Sequence, residues 1–172
     1  MLPVGETAPT FELPGAAAGQ IDSHTLEEYT QNDWAVVLVF YPFDFHPSCT
    51  AQMCLLRDAE GLSLAQNTVI LGISTDSAYS HRAFSDQHRI DFPLLSDSDG
   101  TVAREYDVRV DEIHDHRAVA RSALFVVDPD RHVQYAWQSE SADDMPDLTD
   151  VKKATDCHGD RCDLPDDKSY LF

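Results

Sequence analysis

The run Trp34-Ala-Val-Val-Leu-Val-Phe-Tyr41, closed by Pro42, limits the fold more than any other stretch of the sequence. It is apolar at every position and rich in β-branched residues, the pattern of a strand buried on both faces. Such a strand needs layers above and below it. Pro47-Ser48 opens a helix that can supply one, since proline is tolerated in a first helical turn, and Leu55, Leu56, Ala59, Leu62 and Leu64 continue it at roughly helical spacing. Thr68-Val-Ile-Leu-Gly-Ile-Ser74 is a second buried strand, and Asp76 or Ser77 caps a second helix with Tyr79, Ala83 and Phe84 on its inner stripe. Pro93-Leu-Leu95 predicts a short strand and residues 98–106 a short helix. Ser122-Ala-Leu-Phe-Val-Val127 and His132-Val-Gln-Tyr-Ala-Trp137, joined by the turn sequence Asp128-Pro-Asp-Arg131, predict a hairpin, with a last helix over residues 148–154. Residues 5–19, rich in Gly, Pro and Ala around Phe11 and Leu13, read as an irregular leader with one short edge strand. The sum is an α/β fold with a central mixed sheet flanked by helices. Its site is expected at the carboxyl end of the first buried strand, where the next helix begins.

Charge narrows the partners. Asp and Glu number 31 against 12 Lys and Arg, a formal charge of −19. Nucleic acid and anionic membrane both call for clustered cations, so neither is an expected partner. The carboxylates are dispersed along the chain rather than gathered in one tail, which reads as a solvated surface suited to a salt-rich, halophilic cytosol. No apolar run reaches the roughly 20 residues a membrane helix needs. Met1-Leu2-Pro3-Val4-Gly5-Glu6 has neither a basic nor an apolar leader segment, so a soluble, cytoplasmic protein is expected. Residues 1–154 read as one domain. Residues 155–172, Cys-, Gly- and Asp-rich, read as an acidic tail.

The four cysteines form two pairs of equal spacing, Cys49 with Cys54 and Cys157 with Cys162. In a reducing cytosol such pairs are more often redox-active or metal-binding than structural. Cys49 falls in the first turn of the helix opened by Pro47, where free backbone N–H groups and the helix dipole favour a thiolate, the nucleophilic form. The competing reading is a small core residue. Cys157-His-Gly-Asp-Arg-Cys162 has three readings: a metal clip short of the four ligands of a structural zinc site, a disulfide that relays electrons to Cys49, or a tail with unremarkable thiols.

The segment Phe40-Tyr-Pro-Phe-Asp-Phe-His-Pro-Ser-Cys-Thr50, followed by Arg57-Asp58, resembles the peroxidatic-cysteine segment of the peroxiredoxins, and within them the bacterioferritin-comigratory or PrxQ type. The opening Val4-Gly-Glu-Thr-Ala-Pro-Thr-Phe11, the stretch Gly72-Ile-Ser-Thr-Asp76, Phe92-Pro-Leu-Leu-Ser-Asp97 and Arg121-Ser122 fit the same pattern in the same order. The resemblance implies a thioredoxin-like fold and a thiol-dependent peroxidase that needs no cofactor or metal and acts on hydrogen peroxide or alkyl hydroperoxides. It makes Cys49 the peroxidatic cysteine and Arg121 the cation that holds its thiolate and polarises the peroxide, with Pro42 shielding the site. It makes Cys54 the resolving cysteine, a thioredoxin-like protein the reductant, and the protein a monomer or homodimer. For Arg121 the competing reading is a surface ion pair at a strand start.

Two positions depart from the family's pattern. His46 stands where the family has Thr or Ser three residues before the cysteine, and Gln52 where it has Glu three residues after. A protonated His46 would lower the Cys49 pKa, a neutral one could act as a base, and one turned to solvent would leave the hydroxyl's role empty. Restoring the hydroxyl with His46→Thr is expected to speed reaction with hydrogen peroxide. Five residues along an ideal helix is about 500° of rotation and about 7.5 Å of rise, so a Cys49–Cys54 disulfide requires the helix start to unwind. Otherwise Cys54 is an ordinary helix residue of a one-cysteine enzyme. Two further functional readings compete with a peroxidase: a thiol-disulfide oxidoreductase on the same fold, and a redox-sensing or metal-binding module.

Overall fold

The computed structural model describes residues 1–63, 67–141 and 144–156; Leu64 and the pair Cys157 and Cys162 lie outside them. Nine strands and five helices follow in the order β1 (Glu12–Ala17), β2 (Gln20–Thr25), α1 (Leu26–Thr30), β3 (Ala35–Phe40), α2 (Pro47–Ser63), β4 (Thr68–Ser74), α3 (Ala78–His88), β5 (Leu94–Ser96), α4 (Thr101–Glu105), β6 (Arg109–Ile113), β7 (His116–Ala120), β8 (Ala123–Val127), β9 (Val133–Gln138) and α5 (Leu148–Thr155). Seven strands form one mixed sheet in the order β2-β1-β5-β4-β3-β8-β9, with β3, β4 and β5 parallel and the other neighbours antiparallel. The sheet and its flanking helices make the thioredoxin-like α/β fold expected from the sequence.

Strand β3 organises the core by its pleat. Val36, Leu38 and Phe40 point to one face, where they meet Leu26, Phe125 and Tyr106; Val37, Val39 and Tyr41 point to the other, against Met53, Leu56 and Phe84. All six β3 residues are buried, as a continuous apolar run requires. On the second face α2 packs through Cys49, Gln52, Met53 and Leu56, a stripe at i, i+3, i+4 and i+7. Leu55, expected on that stripe, is 39% exposed because the register is set by Met53 and Leu56. Gly72 of β4 lets α2 come close: a Cβ there would stand 2.8 Å from the Met53 Cε and 2.5 Å from a Leu94 methyl.

Several local readings need correction. The segment read as an irregular leader is a full antiparallel hairpin, with β2 and not β1 on the sheet edge. Neither strand carries a clean apolar alternation, β1 being small and apolar after Glu12 and β2 polar but for Ile21, and the turn at Ala18-Gly19 takes positive φ. Helix α3 is capped by Ser77, whose hydroxyl accepts from the Ser80 N–H, and its inner stripe is Ala78, His81 and Phe84. Tyr79 is 70% exposed; the polar His81 takes the buried place because it has partners inside. The hairpin of β6 and β7, paired apart from the main sheet, was not foreseen. No helix among the described residues is long and apolar enough to cross a membrane.

Candidate active site

Two loops meet where β3 and β4 end. The chain leaves β3 through Tyr41, whose N–H donates to the Ile73 carbonyl, and passes Pro42 and Phe43 to Asp44. There the Asp44 N–H donates to Asp76 Oδ2 at 2.7 Å, so the loop after β3 is tied to the loop after β4. Phe45 takes a left-handed conformation, φ 62°, and swings the backbone into α2 while its ring packs edge-on against Phe84 at 5.1 Å. The His46 carbonyl accepts the first helical bond, from the Thr50 N–H at 2.8 Å, and Pro47 follows at the position where a missing N–H costs nothing. Cys49 therefore lies in the first turn of α2, as its sequence context predicted.

Side-chain bonds from Asp44 hold this loop to α3. Tyr41 Oη donates to Asp44 Oδ1 at 2.9 Å and Ser80 Oγ donates to Oδ2 at 2.7 Å. His81 Nδ1 lies 2.9 Å from Oδ2, and its Nε2 lies 3.0 Å from the Leu95 carbonyl, which can only accept. Neither the His81 nor the Asp44 side chain meets solvent. A buried carboxylate is stable only when paired and hydrogen-bonded, and here every requirement is met locally. The polar core is therefore a fastening point five residues before the cysteine.

Pro42, His46, Cys49 and Arg121 all line one cavity of about 350 Å³, together with Phe43, Ile113, His114, Ser122 and residues 139–141. Arg121 arrives from the segment between β7 and β8, its N–H donating to the Val108 carbonyl. Arg121 takes part in none of the ion pairs formed among the described residues, such as Arg57–Asp58 and Lys153–Asp150. Cys54 is half-buried on α2 and is not among the lining residues. Both cysteines are free thiols on one continuous helix.

The electrostatics at Cys49 differ from the sequence expectation. The residue is 3% exposed, and burial pushes its thiol above the ordinary range, with the charges of Asp44 and Asp76 acting in the same direction. The backbone N–H groups of Phe43 and of Cys49 itself pull it down, but by less. Of these donors only the Cys49 N–H belongs to the helix start; the larger pull comes from Phe43 in the loop before it, and desolvation outweighs both. His46 is half-buried and its Nδ1 lies 3.9 Å from Cys49 Sγ, so that edge of the ring faces the thiol. Gln52, at the family's glutamate position, is buried with its amide nitrogen unpartnered.

Sequence reading missed the β6–β7 hairpin and with it two wall residues, Ile113 and His114. The signal was present: the strands pair Ile113 with His116 around a two-residue turn, His114-Asp115, in which both residues take positive φ. Asp is a usual occupant of such primed turns; His is not, and the flanking residues are too polar to stand out. Among the described residues no cluster of three or more His, Cys, Asp or Glu could hold a metal ion.

Comparison with known proteins places this geometry in context. The AhpC/TSA family matches residues 4–136. A Coxiella burnetii protein assigned to the bcp peroxiredoxins is 32% identical over 143 residues, covering 81% of this chain and 91% of its own. The peroxiredoxin Bcp of Bacillus subtilis is 29% identical over 144 residues, covering 82% and 88%. Among solved structures, the peroxidoxin BcpB of Mycobacterium tuberculosis superposes with a TM-score of 0.75 at 32% identity, covering 91% of this chain and 96% of that one.

Proposed function

The chain belongs to the AhpC/TSA family of peroxiredoxins, and we propose that it reduces hydrogen peroxide and alkyl hydroperoxides through Cys49, with Cys54 as the resolving cysteine. The observation that carries this reading is the convergence of Cys49, Arg121, Pro42 and His46 on one cavity at the start of α2. Attack on an O–O bond needs a thiolate, a cation where charge develops on the leaving oxygen, and a site poor in water. Cys49 supplies the first, Arg121 the second, and Pro42 with Phe43 the apolar wall. The thiolate attacks one peroxide oxygen, an S–O bond forms as the O–O bond breaks, and the sulfenic acid remains with water or an alcohol released. Cys54 then condenses with the sulfenic acid to give a disulfide and water, and a thioredoxin-like dithiol returns both sulfurs to thiols.

Rapid mixing of reduced protein with peroxide, read by sulfenate trapping and by turnover, tests the division of labour. Cys49→Ser should abolish sulfenate formation. Cys54→Ser should leave that first step within about 2-fold and stall turnover by at least about 10², the scale of removing a covalent step's second nucleophile. Equal loss of sulfenate formation in both variants would exclude this assignment.

A further inference from the structure

We propose that His46 is the proton acceptor and donor for Cys49 and that His114 positions it. The proposal rests on the peroxidase reading above and departs from the hydroxyl that the family carries at this place. Three observations support it. His46 Nδ1 is 3.9 Å from Cys49 Sγ, within reach of a sulfur hydrogen bond. The His114 ring stacks on the His46 ring at 5.9 Å between centroids and 26° between planes. Both imidazoles line the cavity that holds Cys49 and Arg121.

The hairpin is built to hold that stack. Its turn residues, His114 and Asp115, occupy a tight two-residue connection, and His116 on the far side of the turn packs its ring on Phe43 at 4.9 Å. The segment from Phe43 to His46 is thus met at both ends by histidines of one hairpin, His116 at Phe43 and His114 at His46. Backbone constraints act from the other side: Pro47 restricts His46 to extended geometry, and the His46 carbonyl is engaged by Thr50. Backbone and stacked ring together bias the imidazole toward the orientation that aims Nδ1 at the sulfur.

The chemistry follows from where the proton must go. With its own proton on Nε2, His46 accepts the Cys49 S–H proton at Nδ1, leaving thiolate and imidazolium. The thiolate attacks peroxide and is oxidised by two electrons to the sulfenic acid. As the O–O bond breaks, the imidazolium returns its proton to the leaving oxygen, which departs as water or alcohol while Arg121 stabilises the developing charge. The overall change is Cys–SH plus ROOH giving Cys–SOH plus ROH, with His46 restored. Among the described residues the other titratable or charged groups around the cavity are His114, Arg121 and Glu140, with His116 on Phe43 and with Asp44 and Asp76 behind Cys49.

The test is the pH dependence of sulfenate formation and of thiolate ultraviolet absorbance in the reduced protein. Wild type should show a bell-shaped rate constant, because both the thiolate and the imidazolium are needed. His46→Thr and His46→Gln should each show a single rising limb moved to higher pH, and a rate constant at neutral pH at least about 10-fold lower. This reverses the expectation that threonine would speed the reaction. His114→Ala should lower the rate about 10-fold with the same change of profile, and His114→Phe, which keeps a flat ring, should recover most of it, as a positioning role predicts. Threonine or glutamine at 46 reacting as fast as wild type with an unchanged profile would overturn the assignment. Equal rates for His114→Ala and wild type would overturn the role of the hairpin. A wild-type protein that reduces no peroxide would instead overturn the peroxidase reading itself.

Discussion

Cys49 is pulled in two directions, and Asp76 marks where the balance can be moved. The Asp76 carboxylate accepts the Asp44 N–H at 2.7 Å and the Ser74 hydroxyl at 3.3 Å, so it shapes the loop; its charge also pushes the Cys49 thiol up. Its own carboxyl is held above the usual range, first by burial and then by the charge of Asp44. Asp76→Asn keeps an acceptor oxygen and removes the charge. The Cys49 thiol midpoint should then fall, and reaction with peroxide at neutral pH should quicken. A group whose folded pKa is raised contributes stability below its unfolded pKa and loses it as pH rises through the folded value. The variant should therefore melt above wild type at neutral pH, with the gap closing on acidification through the carboxylate range. An unmoved thiol titration would show that the Asp76 field does not reach the sulfur.

At the scale of elements, α2 is the part under conflict. Cys49 shares the buried stripe with Met53 and Leu56, while Cys54 lies off it, so the two sulfurs face different ways on an intact helix. Joining them means unwinding the first turns. A six-residue loop returns only about 2 kcal/mol of denatured-state entropy, whereas exposing Met53 and Leu56 forfeits about 1.5–3 kcal/mol each. Unwinding wins the comparison as a net cost. Phe45 adds little to it, since it is already 45% exposed. The Asp44–His81 fastening stays outside the unwound stretch, so the rearrangement should begin after Asp44. Hydrogen exchange on both redox forms should show amides 48–56 losing protection in the oxidised protein and α3 keeping its own. Unchanged protection over 48–56 would mean that Cys54 is not the partner of Cys49.

For the whole molecule the formal charge of −19 is the dominant long-range term. Among the described residues few carboxylates have a cation beside them; those that do include Asp58 with Arg57, Asp150 with Lys153 and Asp107 with the N-terminus. The remainder repel one another through water, and salt weakens that repulsion as the Debye length shrinks from about 10 Å at 0.1 M to about 3 Å at 1 M. The melting temperature of the reduced protein should rise by about 4 °C or more over that range in sodium chloride, equivalent to about 1–2 kcal/mol. A flat or falling curve would show that the dispersed charge carries no such penalty.

The sequence by itself determined the frame: the buried strands β3 and β4, the helix opened by Pro47 with Cys49 in its first turn, and the β8–β9 hairpin. These rest on local signals, continuous apolar runs and proline punctuation, that carry meaning without knowledge of the neighbours. The inward turn of His81 was beyond such signals, because a polar residue becomes internal only when partners far along the chain come to meet it, here Asp44 and the Leu95 carbonyl; the β6–β7 hairpin was missed because its strands are polar and largely exposed and its turn carries a histidine. The state of Cys49 was likewise decided by tertiary structure. A helix start favours a thiolate wherever it occurs, but the burial and the two carboxylates that oppose it are brought to the sulfur by the fold.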